Sequence, residues 1–393
     1  MAAPLDPVPQ LAADARVIRW SGKGIKVDEV AARLLDLRQS ASDEDGYPLT
    51  RASVMNLIVF AADPRQIEVA VATVDELALR HPSRAIVVAA RPGKVFTLNA
   101  EVAIHSHPLA SHGLVYERAV LHPTGADPKG LDTLVIPLLI PHLESFLWWL
   151  GRPDLQDPAL RSLASVCDRL IVDSSTGSAA HLIDISERLG PSTSASPEVA
   201  SFGRLVIGDM TWTRLDPFRE ALARIFDEGG RAAFLEGLER VEITGRRGVT
   251  QDVSPGEVLL GGWLASRLGC TTPTWAHAGV SMRLEGDGRR VIFNFSGVKG
   301  YRAGAAGDAA PIDSIRVVAE LGRRKLSVNV HWQGHEGRLS ISETGKPVVR
   351  RSVALPQPDE TEVLSRELAR LGRDRVFEDA MASAARIETV LTN

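Results

Sequence analysis

The chain has 393 residues, 44% of them hydrophobic and 24% charged, enough to bury a sizeable core and to form two or three domains. Its net charge of -4 and isoelectric point near 6.2 give no basic footprint, which argues against nucleic acid as the main partner. Only Cys167 and Cys270 are present, so neither a disulfide framework nor a cysteine zinc site is expected.

Met1 to Gln10 is proline-rich and lacks the basic-then-apolar order of a signal peptide, so a cytoplasmic protein is expected. Met1 to Asp14 reads as a loose tail. Val27, Val30, Leu34 and Leu37 have helical spacing, and Ser40 to Pro48 (SASDEDGYP) is acidic and turn-rich, as a linker would be. Residues 1–50 are therefore expected to form a tail, helix and linker.

An α/β domain is expected over residues 51–235. Val54 to Ala61 reads as a buried strand, and Asp63-Pro64 as an N-cap with proline in the first helical position. That helix should run to about Leu79, followed by a strand at Ala85 to Ala90. Glu101 to His107 and Val115 to Leu121 are further strand candidates. Leu131 to Leu155 looks at first like a membrane span. Pro137, Pro141, His142 and Glu144 interrupt it well short of the roughly 18 apolar residues a span needs. It is expected to be a buried βα-type unit carrying Trp148 and Trp149, and no membrane role is expected. Asp168 to Asp173 is another strand candidate and Ser178 to Leu189 another helix. Strands alternating with helices imply a mostly parallel sheet. Trp212, Leu215, Phe218, Leu222 and Phe226 then trace the apolar face of one long helix.

From residue 236 to 393 the pattern changes to that of an α+β domain with an antiparallel sheet. Val241 to Ile243, Val280 to Leu284, Val291 to Phe295, Ile315 to Ala319, Leu326 to Val330 and Leu339 to Ser342 are short, alternating and separated by turns. Pro255 to Leu268 is the clear helix among them. Glu360 to Leu371 and Asp374 to Leu391 close the chain as helices.

Ser174, Ser175, Thr176 and Gly177 follow a strand and open a helix, where small hydroxyls and free N–H groups could hold a phosphate or sugar phosphate. The plain alternative is that they cap the helix. The loop matches neither GxxxxGK[ST] nor GxGxxG. A triad of Ser175, His181 and Asp173 fails on geometry, because six helical residues separate Ser175 from His181 by roughly 9 Å. His105 and His107 share a strand face near His112, yet no metal motif supports them, and no metal or cofactor is expected. Gly297 to Asp308 reads as a long glycine-rich connection. The paired tryptophans, if extended, point to opposite faces, so one could anchor a partner protein at an interface of Trp148, Trp149 and Arg152; if helical, both simply pack in the fold.

Several blocks together resemble a known family. HPSR (His81 to Arg84), LVIPLLIPHLESFLWWLGRPDL (Leu134 to Leu155), LIVDSS (Leu170 to Ser175), GDMTWTRLDPFREAL (Gly208 to Leu222) and GGWLASRLG (Gly261 to Gly269) stand in the order found in OpcA, the glucose-6-phosphate dehydrogenase assembly proteins. The resemblance runs from about Arg51 to the C-terminus. It implies a non-catalytic role: association with glucose-6-phosphate dehydrogenase, promotion of its active oligomer, and control of entry into the oxidative pentose phosphate pathway. Redox control through cysteines, known in cyanobacterial members, is not implied with only two cysteines. Two competing expectations are an enzyme or sensor binding a sugar phosphate at Asp173 to Ser178, and a scaffold for a different partner.

Overall fold

The computed structural model describes residues 16–392 apart from 46–48, 52, 62, 110–111, 153, 155, 178–204, 248–251, 278–280, 299–309, 334–335 and 371. The predicted helix at Ser178 to Leu189, His181 and most of the Gly297 to Asp308 connection lie outside the described residues. The chain divides into two compact units. The first comprises Met1–Leu150 and Gln156–Ile171, the second Gly151–Leu155 and Val172–Asn393.

In the first unit β1 (Arg16–Gly22), β2 (Leu49–Arg51), β3 (Met55–Ala61), β4 (Ser83–Val88), β5 (Thr97–Leu109), β6 (His112–Thr124), β7 (Ser145–Leu150) and β8 (Arg169–Val172) build one sheet, in the order β1-β5-β6-β4-β3-β7-β8 with β2 beside β6. The pairs from β6 to β8 are parallel, whereas β1-β5 and β5-β6 are antiparallel. The expected parallel sheet is thus present with an antiparallel margin, because β5 and β6 are long neighbours in sequence that pair as a hairpin. β3, β4, β7 and β8 are buried at every position, which explains their unbroken apolar runs.

The helices follow their sequence signals closely at the N-termini. α2 (Pro64–Leu77) starts at a capping box in which Asp63 accepts a backbone bond and Gln66 reaches back. α1 (Val27–Asp45) runs eight residues beyond the expected Leu37 end, so Ser40 to Asp45 is helix and not linker. β1, absent from the sequence reading, pairs with β5, and the Met1 to Asp14 tail lies outside the described residues. The Leu131 to Leu155 stretch resolves into α3 (Asp132–Val135), a 3-10 turn at Ile136–Leu138 and β7, followed later by α4 (Pro158–Ala164). None of the described helices is long and apolar enough to cross a membrane.

In the second unit, β9 (Val206–Asp209) leads into α5 (Met210–Arg214) and α6 (Asp216–Asp227). The single long helix expected here is broken at Leu215, since Asp216-Pro217 starts a new helix with proline in its first turn. A second sheet is built from β10 (Leu238–Gly245), β11 (Thr272–His277), β12 (Ser281–Gly286), β13 (Arg289–Gly297), β14 (Ile312–Leu321), β15 (Arg324–Gln333), β16 (Glu336–Glu343) and β17 (Val349–Ala354). Its order is β11-β12-β13-β10-β14-β15-β16-β17, and every pair is antiparallel except β10 with β13. The two edge strands, β11 and β17, escaped the sequence reading; β17 is exposed along most of its length and lacks apolar alternation.

Three helices complete this unit: α7 (Pro255–Leu268), α8 (Glu360–Ala369) and α9 (Arg375–Thr392). α7 begins at the Ser254/Glu257 capping box and ends at Gly269 in the left-handed conformation. Buried Glu257 is also held by Arg247 at 2.7 Å. The glycine pair in GGWLASRLG is a packing device: a Cβ on Gly262 would lie 2.4 Å from the Ala380 carbonyl oxygen, so only glycine lets α7 and α9 approach this closely.

Candidate functional site

The Asp173 to Gly177 turn is the place where the sequence suggested ligand chemistry. β8 delivers Asp173, and Ser174–Thr176 form a 3-10 turn. Asp173 accepts bonds from the Ser175 N–H at 3.1 Å, Ser175 Oγ at 2.6 Å, Thr211 Oγ1 at 3.0 Å and the Arg214 guanidinium at 2.7 Å. Burial alone would raise its pKa, but the Arg214 charge and the donated bonds outweigh burial and hold the carboxyl below its usual range.

Asp209, at the end of β9, is the second carboxylate of the cluster. It caps α5 by accepting from the Thr211 N–H at 2.9 Å, and it also accepts from the Ser174 N–H at 3.1 Å. It is fully buried, and burial, reinforced by the charge of Asp173, pushes its pKa up to about 7.

This geometry favours the capping alternative over the anion-binding expectation for Ser174, Ser175, Thr176 and Gly177. Each of the four backbone N–H groups already donates inside the protein: to Asp209, to Asp173 and Thr211, to the Asp173 carbonyl and to the Ser174 carbonyl. The Ser175 and Thr176 hydroxyls are engaged as well, with Asp173 and with the Gly151 and Asp173 carbonyls. A phosphate would find no free amide and two carboxylates. The turn is a cap, and Arg214 is the counter-ion of its acid.

The raised pKa of Asp209 has a measurable consequence. An unfolded aspartate titrates near 3.9, so between about pH 4 and pH 7 the folded chain holds a proton that the unfolded chain has lost. Stability contributed at this residue therefore falls as pH rises through that window and is level above it. Asp209→Asn keeps an acceptor for both N–H groups and removes the titration. Urea unfolding of the variant should show a flatter pH profile and a gain on the order of 2–4 kcal/mol at pH 8 over wild type. An unchanged slope between pH 4 and 7 would contradict the assignment.

A second network extends from the same GDMTWTRLDPFREAL block. Trp212 is fully buried, lies under the Arg219 guanidinium at 3.3 Å, and donates from Nε1 to Asp374 at 3.2 Å. Asp374 in turn accepts from the Phe377 N–H at 3.0 Å. Thr213 donates to buried Glu367, which also receives Arg370 at 2.8 Å. Arg370 reaches Asp216 at 2.9 Å, where Arg219 pairs too. The block thus ties α5 and α6 to α8 and α9 through side-chain chemistry. Its residue types, which could have suggested catalysis, are used for cohesion.

A cleft of about 740 Å³ runs between α6 and β17. Asp216, Glu220, Arg224, Glu228, Arg351 and Arg366 supply its charged wall, and Arg351 closes on Glu228 at 2.9 Å. Among the described residues, no histidine or cysteine lines it.

The remaining sequence candidates are dispersed. Trp148 and Trp149 are 1% and 3% exposed, because β7 lies between β3 and β8 with both faces covered. The expectation that one of them faces outward to anchor a partner is corrected: Trp149 stacks on Phe60 at 4.2 Å with the rings nearly parallel. Arg152 is exposed. His105 is buried, stacked on Tyr116 and hydrogen-bonded to its hydroxyl, with Asp75 3.7 Å from Nε2. Among the described residues no set of three ligand-type side chains is grouped to hold a metal. Burial pushes both thiols up, Cys167 and Cys270 alike, which disfavours the thiolate form that redox chemistry requires.

Comparison with known proteins matches two stretches of the chain to family profiles. Residues 74–187 match the glucose-6-phosphate dehydrogenase subunit N-terminal domain, and residues 206–381 match the corresponding C-terminal domain. A protein provisionally named as the OxPP cycle protein OpcA of Nostoc punctiforme is 27% identical over 334 residues, covering 80% of this chain and 66% of its own length. Its namesake in Synechocystis is 24% identical, covering 68% of this chain and 54% of its own length. The chain thus spans less than two thirds of these curated relatives. Among solved structures, KijD10, a 3-ketoreductase from Actinomadura kijaniata in complex with NADP, covers 86% of this chain and 97% of its own at 9% identity and a TM-score of 0.45, a likeness too loose to carry an activity. With both profiles matched in order over most of its length, the chain belongs to the glucose-6-phosphate dehydrogenase subunit family, the OpcA family.

Proposed function

We propose that this chain is a non-catalytic assembly factor and allosteric activator of glucose-6-phosphate dehydrogenase, acting in the cytoplasm at the entry to the oxidative pentose phosphate pathway. The observation that carries the reading is the pair of ordered matches to the two domains of a glucose-6-phosphate dehydrogenase subunit. The chemistry of the described residues agrees with it. The one turn that suggested substrate binding has spent its four backbone amides internally, and the cleft between α6 and β17 is walled by arginines and carboxylates.

The test is direct. The purified chain, mixed with the dehydrogenase of the same organism, should shift it to a larger species in sedimentation velocity and raise its turnover. Neither a shift nor a kinetic effect over a wide concentration range would sink the proposal. Titration calorimetry with glucose 6-phosphate on the chain alone should give no heat of binding at Asp173 to Gly177.

A further inference from the structure

The eight-stranded sheet of the second unit has two unlike faces. Along β10, β12, β13, β14, β15 and β16 alternate residues are buried, for example Val241, Phe293, Val317 and Val328. The opposite face is left partly open and is set by register: Glu242 lies beside Asn294 and Arg316, Arg316 beside Asn329, Asn329 beside Ser340, and Ser340 beside Arg350. Short hydroxyl and amide side chains, with Ile292 and Val318 beside Arg240, fill the rows between the charges.

The charges are one-sided. Arg240, Arg283, Arg316, Arg338 and Arg350 stand on this face. Glu242, set among them, is shared by Arg240 at 3.7 Å and Arg316 at 3.4 Å, both arginines being 51% exposed. Arg283, Arg338 and Arg350 pair with no carboxylate among the described residues. At the rim the charges cancel: Arg290 with Glu285 and Lys325 with Glu320, while Glu336 sits at the opposite margin. A surplus of arginine on one face of a chain whose net charge is -4 is a local feature, not the general charge of the molecule.

Size and composition both suit docking. Eight strands about 4.8 Å apart and about six residues long make a face of roughly 35 by 20 Å, about 700 Å². A stable protein interface takes about 800 Å² from each partner. Arginine is enriched at protein interfaces and lysine, confined here to the margin, is depleted. A second copy of the same face would bring arginine against arginine, so the complementary occupant is a different protein.

We infer that the open polar face of this sheet is the surface that docks an acidic, flat protein face, and, resting on the function proposed above, that this face belongs to the dehydrogenase. The test uses the full chain and the dehydrogenase. Arg283→Glu with Arg350→Glu, two side chains that hold no ion pair among the described residues, should weaken the complex at least tenfold in sedimentation or interferometry. Arg240→Ser with Arg316→Ser should do so to a lesser degree, and raised salt should weaken wild type in the same direction. Arg267→Glu, on α7, should leave affinity unchanged. Circular dichroism and melting of each variant separate loss of fold from loss of binding, and the serine pair serves if the glutamate pair misfolds. Wild-type binding with unaltered affinity in both pairs overturns the surface and leaves the proposed function standing. No binding by wild type overturns the function and this inference together. A wild-type dimer that the variants dissolve, or duplex binding that they abolish, overturns it in favour of a second copy or of nucleic acid.

Discussion

Trp148→Ala should destabilise the isolated chain by about 3–5 kcal/mol, the range for truncating a fully buried tryptophan where the surroundings cannot collapse. β7 is an interior strand with β3 on one side and β8 on the other, so the cavity would open in the middle of a sheet covered on both faces. Trp149→Ala should follow closely, since it also removes the stack on Phe60. A urea titration of the first variant, with no dehydrogenase present, reads the effect as a fall in midpoint at unchanged slope. A Trp149→Ala chain with the wild-type midpoint and lost affinity for the dehydrogenase would return that residue to an interface role.

The tryptophan pair also shows what sequence can and cannot supply. Its apolar flanks, Ser145 to Leu150 after Pro141-His142, predict burial and a short element, and β7 is there. Which faces of that element are covered depends on β3 and β8, which come from residues before and after it, and no local pattern records their pairing. The same holds for β1. Its residues carry no run of apolar alternation, and only the register with β5 reveals a strand. Capping signals, in contrast, are local chemistry. Asp63-Pro64 gives a helix start that the structure reproduces at Pro64, and the helix read from Pro255 begins there behind a Ser254 cap. Helix ends are weaker: nothing near Leu37 prevents α1 from continuing through Ser40 to Asp45.

For the candidate site the limitation was one of partners. Ser174 to Gly177 has the residue types of an anion cradle, and the sequence shows Asp173 beside them. It does not show that Asp209, thirty-five positions away, spends the first of the four amides, or that Thr211 and Arg214 complete the shell. The docking face inferred above is legible only once register is known. Its arginines come from five different strands and share a face by pairing, not by spacing.

Arg214→Ala is the change expected to disturb that cluster most. The guanidinium is largely buried and is the ion-pair partner of Asp173, and Asp209 lies in the same cluster. Removing one partner of a buried pair costs about 3–5 kcal/mol, because the remaining charge keeps its desolvation penalty without compensation. The pH dependence identifies the cause. In wild type the depressed pKa of Asp173 contributes stability that is present above the unfolded value near 3.9 and lost as pH falls through the folded value. Without Arg214, burial and the neighbouring Asp209 should drive that pKa above its unfolded value, reversing the sign. The deficit of the variant should then be largest near pH 8 and shrink towards pH 5, where both acids can hold protons. Asp173→Asn in the Arg214→Ala background should recover much of the loss at pH 8, because an amide leaves no charge to compensate. A deficit that is the same at both pH values, and no recovery in the double variant, would mean that Arg214 acts by packing and not as the counter-ion of Asp173.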